Sequence, residues 1–238
     1  MSSQSPRSTS GDSGPPPLPR GRHRLPFEVV IADQRRRLIS GTARALAEQG
    51  YAELTVKHVI EAAGVSRTTF YANFDNKRDG VLAAHRDVFE RLLALLLRAC
   101  ATELDWSQKI RASIAALFSF AEKAPEEVRL LTLNALATDL TIARQVVDSN
   151  AHFAALLREG RRHTSFGAAL PELTEEALVG AVSAVIAGSL HETGVQRLPD
   201  LEPEVVQLVL TPYIGASEAT RVVAEGKDRF RRQSVRPR

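Results

Sequence analysis

Apolar residues recur at three- and four-residue intervals along most of the chain, which is the spacing of one face of an α-helix. The most informative stretch runs from Thr55 to Lys77, TVKHVIEAAGVSRTTFYANFDNK. Its first apolar stripe consists of Val56, Val59, Ile60 and Ala63. Gly64 follows this stripe, where a residue with positive φ commonly ends a helix. The pattern predicts a short helix that is capped by Thr55 and ends at Gly64.

A second short helix is predicted directly after this turn. Ser66 is expected to cap it by accepting a hydrogen bond from the amide near Thr69. Phe70 and Phe74, four residues apart, give it one apolar face. Its other face carries Arg67, Thr68, Tyr71 and Asn73. A short helix pair with this polar face is typical of a helix-turn-helix that contacts DNA phosphates and base edges. The alternative is an ordinary helical hairpin with a solvated face.

The same periodicity predicts helices before and after this motif. The predicted spans are 27–49, 77–101, 107–123, 126–137, 139–163, 174–194 and 202–224. Asn76 is expected to cap the second of these spans, and Pro212 to kink or interrupt the last one. Strand patterns are nearly absent. The predicted fold class is therefore all-α, with an N-terminal three-helix helix-turn-helix domain followed by a C-terminal helical bundle.

Composition supports helices and narrows the compartment. Of the 238 residues, 44% are hydrophobic but only 5% are aromatic, which favours helices over sheets. Cys100 is the only cysteine, so no intrachain disulfide is possible, and we expect it to pack as a small buried side chain. No apolar run approaches the roughly 20 residues of a membrane span, and no signal peptide is recognisable. We expect a soluble cytoplasmic protein with no membrane partner.

Charge is distributed unevenly along the chain, although the net charge is only +3. Residues 34–78 contain eight Lys and Arg against four Asp and Glu, and residues 79–224 contain thirteen against nineteen. The last fourteen residues contain six against two. A basic helix-turn-helix on an acidic helical body indicates that one end of the molecule attracts a polyanion.

Four segments follow from these patterns. Residues 1–26 are rich in Ser, Pro, Gly and Arg and are predicted to form a disordered basic arm. Its last arginines, Arg22 and Arg24, either reach a DNA minor groove or simply keep the arm soluble. Residues 27–78 form the predicted DNA-binding domain, residues 79–224 the helical ligand-binding and dimerisation domain, and residues 225–238 a basic tail.

The sequence RRRLISGTARALAEQGYAELTVKHVIEAAGVSRTTFYANFDNK resembles the DNA-binding domain of the TetR family of transcriptional regulators. The shared features are the Gly-Tyr end of the first helix, the capping Thr, the Ala-Gly-Val-Ser turn, the Phe-Tyr pair, the later Phe and the final Lys. The resemblance covers roughly residues 34–94. The rest of the chain resembles the family only in being helical and of suitable length.

The resemblance implies that the helix after the turn lies in a major groove. Arg67, Thr68 and Thr69 would then read base edges and nearby phosphates, and Tyr71 would donate to a phosphate. Thr55 and Lys77 would anchor the DNA backbone from either side. The full predicted DNA-binding set is Arg22, Arg24, Thr55, Ser66, Arg67, Thr68, Thr69, Tyr71 and Lys77.

Two further sites are predicted in the body. Aromatic and leucine side chains could line a cavity for a small-molecule effector or fill a dry core; they are Trp106, Phe118, Phe120, Leu133 and Phe153. The helix around residues 178–190 is apolar nearly all round, and the resemblance implies a homodimer built from paired helices. The predicted interface is Val182, Val185, Ile186, Ser189, Val205 and Val209. Such a dimer would bind double-stranded DNA at a palindromic operator.

No catalytic, metal or cofactor site is predicted. The six histidines are scattered, and the pair His191-Glu192 is followed by Val195 where a zinc-binding helix needs a second histidine. The sequence therefore predicts a sequence-specific DNA-binding transcriptional regulator, a repressor released by a small molecule. The alternatives are a helical protein-interaction module that has lost DNA binding and an all-α enzyme.

Overall fold

The computed structural model of the protein describes residues 27–132, 139–164, 167–192 and 194–234. Within these ranges the chain contains helices and no strand, which confirms the predicted all-α class. The α-helices are α1 Phe27–Glu53, α2 Val56–Ala63, α3 Arg67–Tyr71, α4 Lys77–Ala101, α5 Trp106–Lys123, α6 Pro125–Leu131, α7 Leu140–Arg158, α8 Thr174–Glu192, α9 Leu198–Ile214 and α10 Ala216–Ser234.

Local capping explains why the first five helices lie where the sequence predicts them. Asn76 Oδ1 accepts a hydrogen bond from Asp79 N at 3.1 Å and starts α4. Asp105 Oδ1 accepts from Ser107 N at 2.9 Å and starts α5. Gly50 interrupts the helical backbone of α1 with φ 70° and ψ 163°, close to the predicted end of the first helix. Each of these signals acts within a few residues, so sequence suffices to find it.

The predicted spans in the middle of the chain are too long. Helix α6 ends at Leu131 rather than at 137, and residues 133–138 lie outside the described part of the chain. Helix α7 ends at Arg158 and continues as a 3₁₀ turn, Glu159–Arg162. In this turn Gly160 approaches the indole of Trp106 so closely that an added Cβ would lie 2.1 Å from the ring. This tertiary contact sets the geometry of the turn.

The predicted single helix 202–224 is wrong. Two helices, α9 and α10, meet at Gly215, whose φ of 79° and ψ of 160° are not helical. Pro212 lies inside α9 and does not end it, so the break is three residues beyond the predicted one. The predicted basic tail also begins inside a helix, because the backbone of α10 remains helical as far as Ser234.

Two hydrophobic cores organise the molecule. The first joins α1 to α3 and the first half of α4, and it includes Leu130 of α6 and Ile142 of α7. The second is formed mainly by α5, α8, α9 and α10. The first core thus includes residues of α6 and α7, which lie beyond the predicted domain boundary after residue 78.

Candidate nucleic-acid interface and ligand cavity

The turn between α2 and α3 is fixed by hydrogen bonds on both sides. Gly64 has φ 60° and ψ 42°, the left-handed conformation that only glycine adopts at low cost. Thr55 accepts from His58 N at 3.3 Å at the start of α2. Ser66 Oγ accepts from Thr69 N at 3.0 Å at the start of α3. The five-residue helix α3 is thus set at a defined angle to α2.

Helix α3 buries one face and exposes the other. Phe70 is fully buried and Phe74 nearly so, and their rings meet edge to face with centroids 5.6 Å apart. Arg67, Thr68 and Tyr71 are exposed on the opposite face. We call these three residues the reading face.

Some of the polar side chains in and beside the reading face already make contacts within the chain. The guanidinium carbon of Arg67 lies 5.6 Å from the centroid of the Tyr71 ring, a cation-π distance. The hydroxyl of Thr69 lies 2.8 Å from that of Ser66, so these two predicted contacts also serve the helix cap. Arg67, Thr68 and Tyr71 present a guanidinium, a hydroxyl and a phenol that can meet base edges or phosphates.

Arginines of α1 hold the turn from behind. Arg37 Nη2 donates to Gly64 O at 2.5 Å, and Arg44 Nη2 donates to Ala62 O at 2.7 Å. Both carbonyls belong to the C-terminal end of α2, where backbone acceptors lack helical partners. Sequence analysis did not find this role, since the acceptors are backbone atoms and leave no side-chain signature.

Lys77 is the first residue of α4, as the sequence predicts, and its ammonium is held by backbone carbonyls. Its Nζ donates to the carbonyls of Tyr51 at 3.1 Å, Ala52 at 3.3 Å and Leu54 at 2.8 Å. It also lies 4.9 Å from the centroid of the Tyr51 ring. An ammonium has three N–H donors, and all three are used here. Lys77 thus clamps the end of α1 to the start of α4, and its phosphate contact stays a prediction.

The N-terminal arm cannot be placed against this surface. Arg22 and Arg24 lie outside the described residues. Thr55 is exposed and retains a hydroxyl hydrogen after capping α2.

Polar contacts link the helix-turn-helix to α7. Asp139 caps α7 and accepts from Tyr51 OH at 3.0 Å, with Arg78 Nη1 at 3.9 Å. We call these three residues the junction cluster. Burial and the hydrogen bond to Asp139 raise the pKa of Tyr51 to about 12. Burial alone would raise the pKa of Asp139, but hydrogen bonds from Tyr51 and from the α7 amides outweigh it and lower that pKa.

A second contact lies further along α7. Gln145 Nε2 donates to Leu82 O at 2.8 Å and lies 3.0 Å from Nδ1 of the buried His85. Burial lowers the pKa of His85 to about 4, so the ring is neutral at physiological pH. Helix α4 is therefore held against α7 by a neutral imidazole.

A cavity of about 250 Å³ lies between the pair α4 and α5 and the pair α7 and α8. Two of the five predicted residues, Trp106 and Phe153, line it. Phe118 packs in the second core and Phe120 between the two cores, while Leu133 lies outside the described residues. Leucines of α4 that sequence analysis missed line much of the wall; they are Leu92, Leu96 and Leu97. The signal in the sequence that could have found them is the helical spacing of these leucines along the second half of α4.

The cavity has few polar side chains. Its wall includes Cys100, whose Sγ lies 2.8 Å from Ser113 Oγ. Lys109 and Glu159 also line it, and both lie at the end formed by the C-terminus of α4 and the N-terminus of α5. Leu97 and Leu156 line the cavity and are 48% and 38% exposed. An apolar wall with a charged end suits an amphipathic ligand.

A buried ionic network fixes the base of α8. Glu175 is fully buried and accepts from Arg161 Nε and Nη2, each at 2.8 Å, and from Tyr213 OH at 2.9 Å. Burial alone would raise the pKa of Glu175, but these hydrogen bonds lower it. Burial and the hydrogen bond to Glu175 raise the pKa of Tyr213. We call Glu175, Arg161 and Tyr213 the buried network.

The predicted dimer interface needs correction. Ile186, Ser189, Val205 and Val209 are buried within a single chain, and Val182 and Val185 pack against the same core. Four of the six predicted interface residues are therefore buried inside the chain, and Val182 and Val185 are partly exposed. Helix α8 is apolar nearly all round, so its sequence could not show which face meets the core. Its exposed face carries small residues, Ala177, Gly180 and Ala184.

Searches for two other kinds of site were negative in the described part of the chain. None of its helices combines the length and apolar character needed to cross a bilayer. Its His, Cys, Asp and Glu side chains form no group of three or more that is placed to bind a metal ion.

Comparison with known proteins agrees with this geometry. Residues 38–84 match the family model for bacterial regulatory proteins of the tetR family. The HTH-type transcriptional activator FasR of Mycolicibacterium smegmatis is 27% identical over 128 residues, 54% of this chain and 58% of FasR. An HTH-type transcriptional repressor of Mycobacterium tuberculosis is 34% identical over 71 residues, 30% of this chain and 38% of that protein. The matches thus span less than two thirds of the length of either relative.

A solved structure shows the same fold over most of the chain. The transcriptional regulator FadR from Bacillus subtilis, in complex with stearoyl-CoA, is similar with a TM-score of 0.63 and 17% identity. The similarity covers 74% of this chain and 98% of FadR. We conclude that residues 38–84 are similar to the tetR family of bacterial regulatory proteins and that most of the chain has a fold similar to that of a solved transcriptional regulator.

Proposed function

We propose that the protein is a sequence-specific DNA-binding regulator whose DNA affinity is set by a small molecule in the cavity. The observation that carries this proposal is the reading face, because α3 exposes Arg67, Thr68 and Tyr71 while both phenylalanines are buried. A guanidinium in bidentate contact with guanine discriminates between bases by about 1–3 kcal/mol. We assign that contact to Arg67 and a phosphate contact to Tyr71.

A homodimer completes the proposed reader. The exposed small residues of α8 leave an open surface, since a Cβ added at Gly180 would meet nothing within 4 Å. Leu208 of α9 is 44% exposed. We propose that these faces of α8 and α9 pair with those of a second chain, which presents two reading faces to a palindromic operator about one DNA turn apart.

The cavity is the proposed effector site. The solved regulator of similar fold was crystallised with stearoyl-CoA, which supports an apolar ligand here. Helix α7 lines the cavity through Phe153, and it is tied to α1 through Asp139 and to α4 through Gln145. A ligand that displaces α7 changes the setting of the reading faces. By linkage, the ligand and the operator then weaken each other's binding by the same factor.

The sign of regulation is part of the proposal. The two relatives are named as an activator and a repressor. We propose a repressor that leaves its operator when the effector binds, because filling the cavity separates α7 from α4, whose contacts hold the helix-turn-helix.

Selection of bound fragments from random double-stranded DNA tests the DNA proposal. We expect a palindromic site whose affinity falls steeply with salt. Arg67→Ala should relax the preference at one position of each half-site. Arg98→Ala is the matched control, because Arg98 is exposed at the far end of α4. Recovery of no preferred site would refute DNA reading.

Two other functions would give different outcomes. A protein-interaction module would show no salt-dependent DNA binding and no effect of Arg67→Ala. An all-α enzyme would need reactive groups in the cavity. The reading face favours the regulator over both.

A further inference from the structure

We infer that the cavity takes an anion-headed apolar chain, with its head at the Trp106 end and its tail directed toward the DNA-binding domain. This inference rests on the proposed role of the cavity as the effector site and adds the chemical class and orientation of the ligand. The shared head chemistry is a carboxylate or a phosphate.

The cavity wall contains a lysine that could bind the anionic head of a ligand. Lys109 is the one cationic side chain among the lining residues that the structure describes. Its ammonium forms no ion pair with any described residue. The other charged lining residue is Glu159, whose carboxylate is 59% exposed and lies 3.8 Å from His163 Nε2. The acid is thus largely solvated, whereas the half-buried ammonium lacks a counter-charge.

A second donor lies one helical turn away. Trp106 is 6% exposed and lines the cavity at the same end. Its Nε1 is buried and has no hydrogen-bond partner among the described residues. Side chains at i and i+3 share a helix face, so Trp106 and Lys109 point the same way from α5. Both groups can only donate, and buried donors without acceptors are costly. Oxygen atoms of a ligand head would satisfy both.

The opposite end of the cavity suits a tail. It is lined by Leu92, Leu117 and Val128, with the uncharged Thr132 and Asn150 nearby. Along α5 the wall extends from Trp106 to Leu117, about 16 Å at the helical rise per residue. The volume of about 250 Å³ is at the lower limit of ligand pockets, which span roughly 300–1,000 Å³. We therefore choose a medium-length chain as the probe.

Fluorescence of Trp106 gives a direct readout, since it is the only tryptophan of the chain. Decanoate, decanol and decylamine have matched tails and differ in the charge of the head. Titrated into the full chain without DNA, decanoate should bind about tenfold more tightly than decanol, because hydrogen bonds to a charged group are the stronger ones. Decylamine should bind most weakly. Equal binding of decanoate and decanol would overturn the inference, as would the absence of any response.

Substitution of the cation separates recognition from packing. Lys109→Gln should bring the affinity for decanoate down to that for decanol and leave decanol within about twofold, since only the charged contact is lost. Glu159→Gln should leave decanoate binding unchanged or stronger. Lys123→Gln, at the exposed end of α5, is the charge-matched control. An equal loss for decanoate and decanol in Lys109→Gln would show a structural role and overturn the assignment.

The source of the anion is identified by decanoyl-CoA. If Lys109→Gln weakens decanoate alone, the head is a free carboxylate. If it weakens decanoyl-CoA as well, Lys109 also binds a phosphate of the CoA group. Either result supports an anionic head. Because these titrations contain no DNA, a protein that binds decanoate and no operator keeps this inference and loses the proposed regulatory function.

Discussion

Helix α7 is held differently at its two ends. Just beyond its C-terminus, Arg161 donates to Glu175 of α8, which accepts three hydrogen bonds in the buried network and has no solvent access. At its N-terminus, the junction cluster has one hydrogen bond at 3.0 Å and an ion pair at 3.9 Å, with Arg78 half exposed. Breaking a buried pair leaves an unsatisfied charge, whereas an exposed pair is readily replaced by water. The body end of α7 is therefore the fixed end, and the end at the helix-turn-helix is the one that can move.

Removal of the buried carboxylate should have the largest effect. Glu175→Ala removes the acceptor of Tyr213 and the counter-charge of Arg161, which keeps only its bonds to the carbonyls of Leu170 and Pro171. We expect a loss of about 4 kcal/mol in the free energy of unfolding. Urea denaturation measures it. The matched control is Glu176→Ala, whose side chain is 45% exposed and pairs with Arg158; it should cost below about 1 kcal/mol. Equal losses in the two variants would contradict the buried network as the fixed end of α7.

Acid should weaken the contact between α4 and α7. The pKa of His85 is about 4 in the folded chain, below its ordinary value of 6.5, so protonation favours the unfolded chain. This contribution is complete above pH 6.5 and is lost as the pH falls toward 4, by up to about 3 kcal/mol.

The measurement is the unfolding free energy from pH 7 to pH 4. His85→Gln should depend less on pH than the wild type, while His163→Gln, an exposed histidine, should follow the wild type. Parallel curves for the wild type and His85→Gln would contradict the buried neutral imidazole.

Lys77 distinguishes a clamp from a phosphate anchor. Lys77→Met removes three hydrogen bonds to carbonyls and should lower the free energy of unfolding by about 2 kcal/mol. Lys57→Met, whose side chain is 79% exposed, should change it little. If Lys77→Met instead left stability unchanged and lowered the salt dependence of DNA binding by about one ion, Lys77 would be a phosphate contact.

The junction cluster should give the smallest effect on stability. Tyr51→Phe removes the hydrogen bond to Asp139 and should cost about 1 kcal/mol, because water can reach the freed carboxylate. It should also reduce the factor by which the effector weakens operator binding. Tyr71→Phe is a phenol-matched control, since Tyr71 is 46% exposed on the reading face. It should lower DNA affinity without lowering stability; the reverse pattern would reject both assignments.

How far sequence could predict this molecule depends on the range of the interactions. The caps at Thr55, Ser66 and Asn76 act within three residues, so the helix-turn-helix was predictable. The roles of Lys77 and Glu175 depend on partners 14 to 38 residues away, and no local pattern marks them. The faces of α8 were misassigned because both sides are apolar.

Gly160 has no side chain, and this lets the indole of Trp106 pack against its backbone. The indole of Trp106 rests where a methyl group would have to be, so any larger residue at 160 would push the ring away. Trp106 forms the charged end of the cavity wall together with Lys109. A single substitution at this glycine would thus change the shape of the cavity by moving Trp106, although Gly160 itself does not line the cavity. Substitution at position 160 is therefore a simple way in which related chains could change their effector.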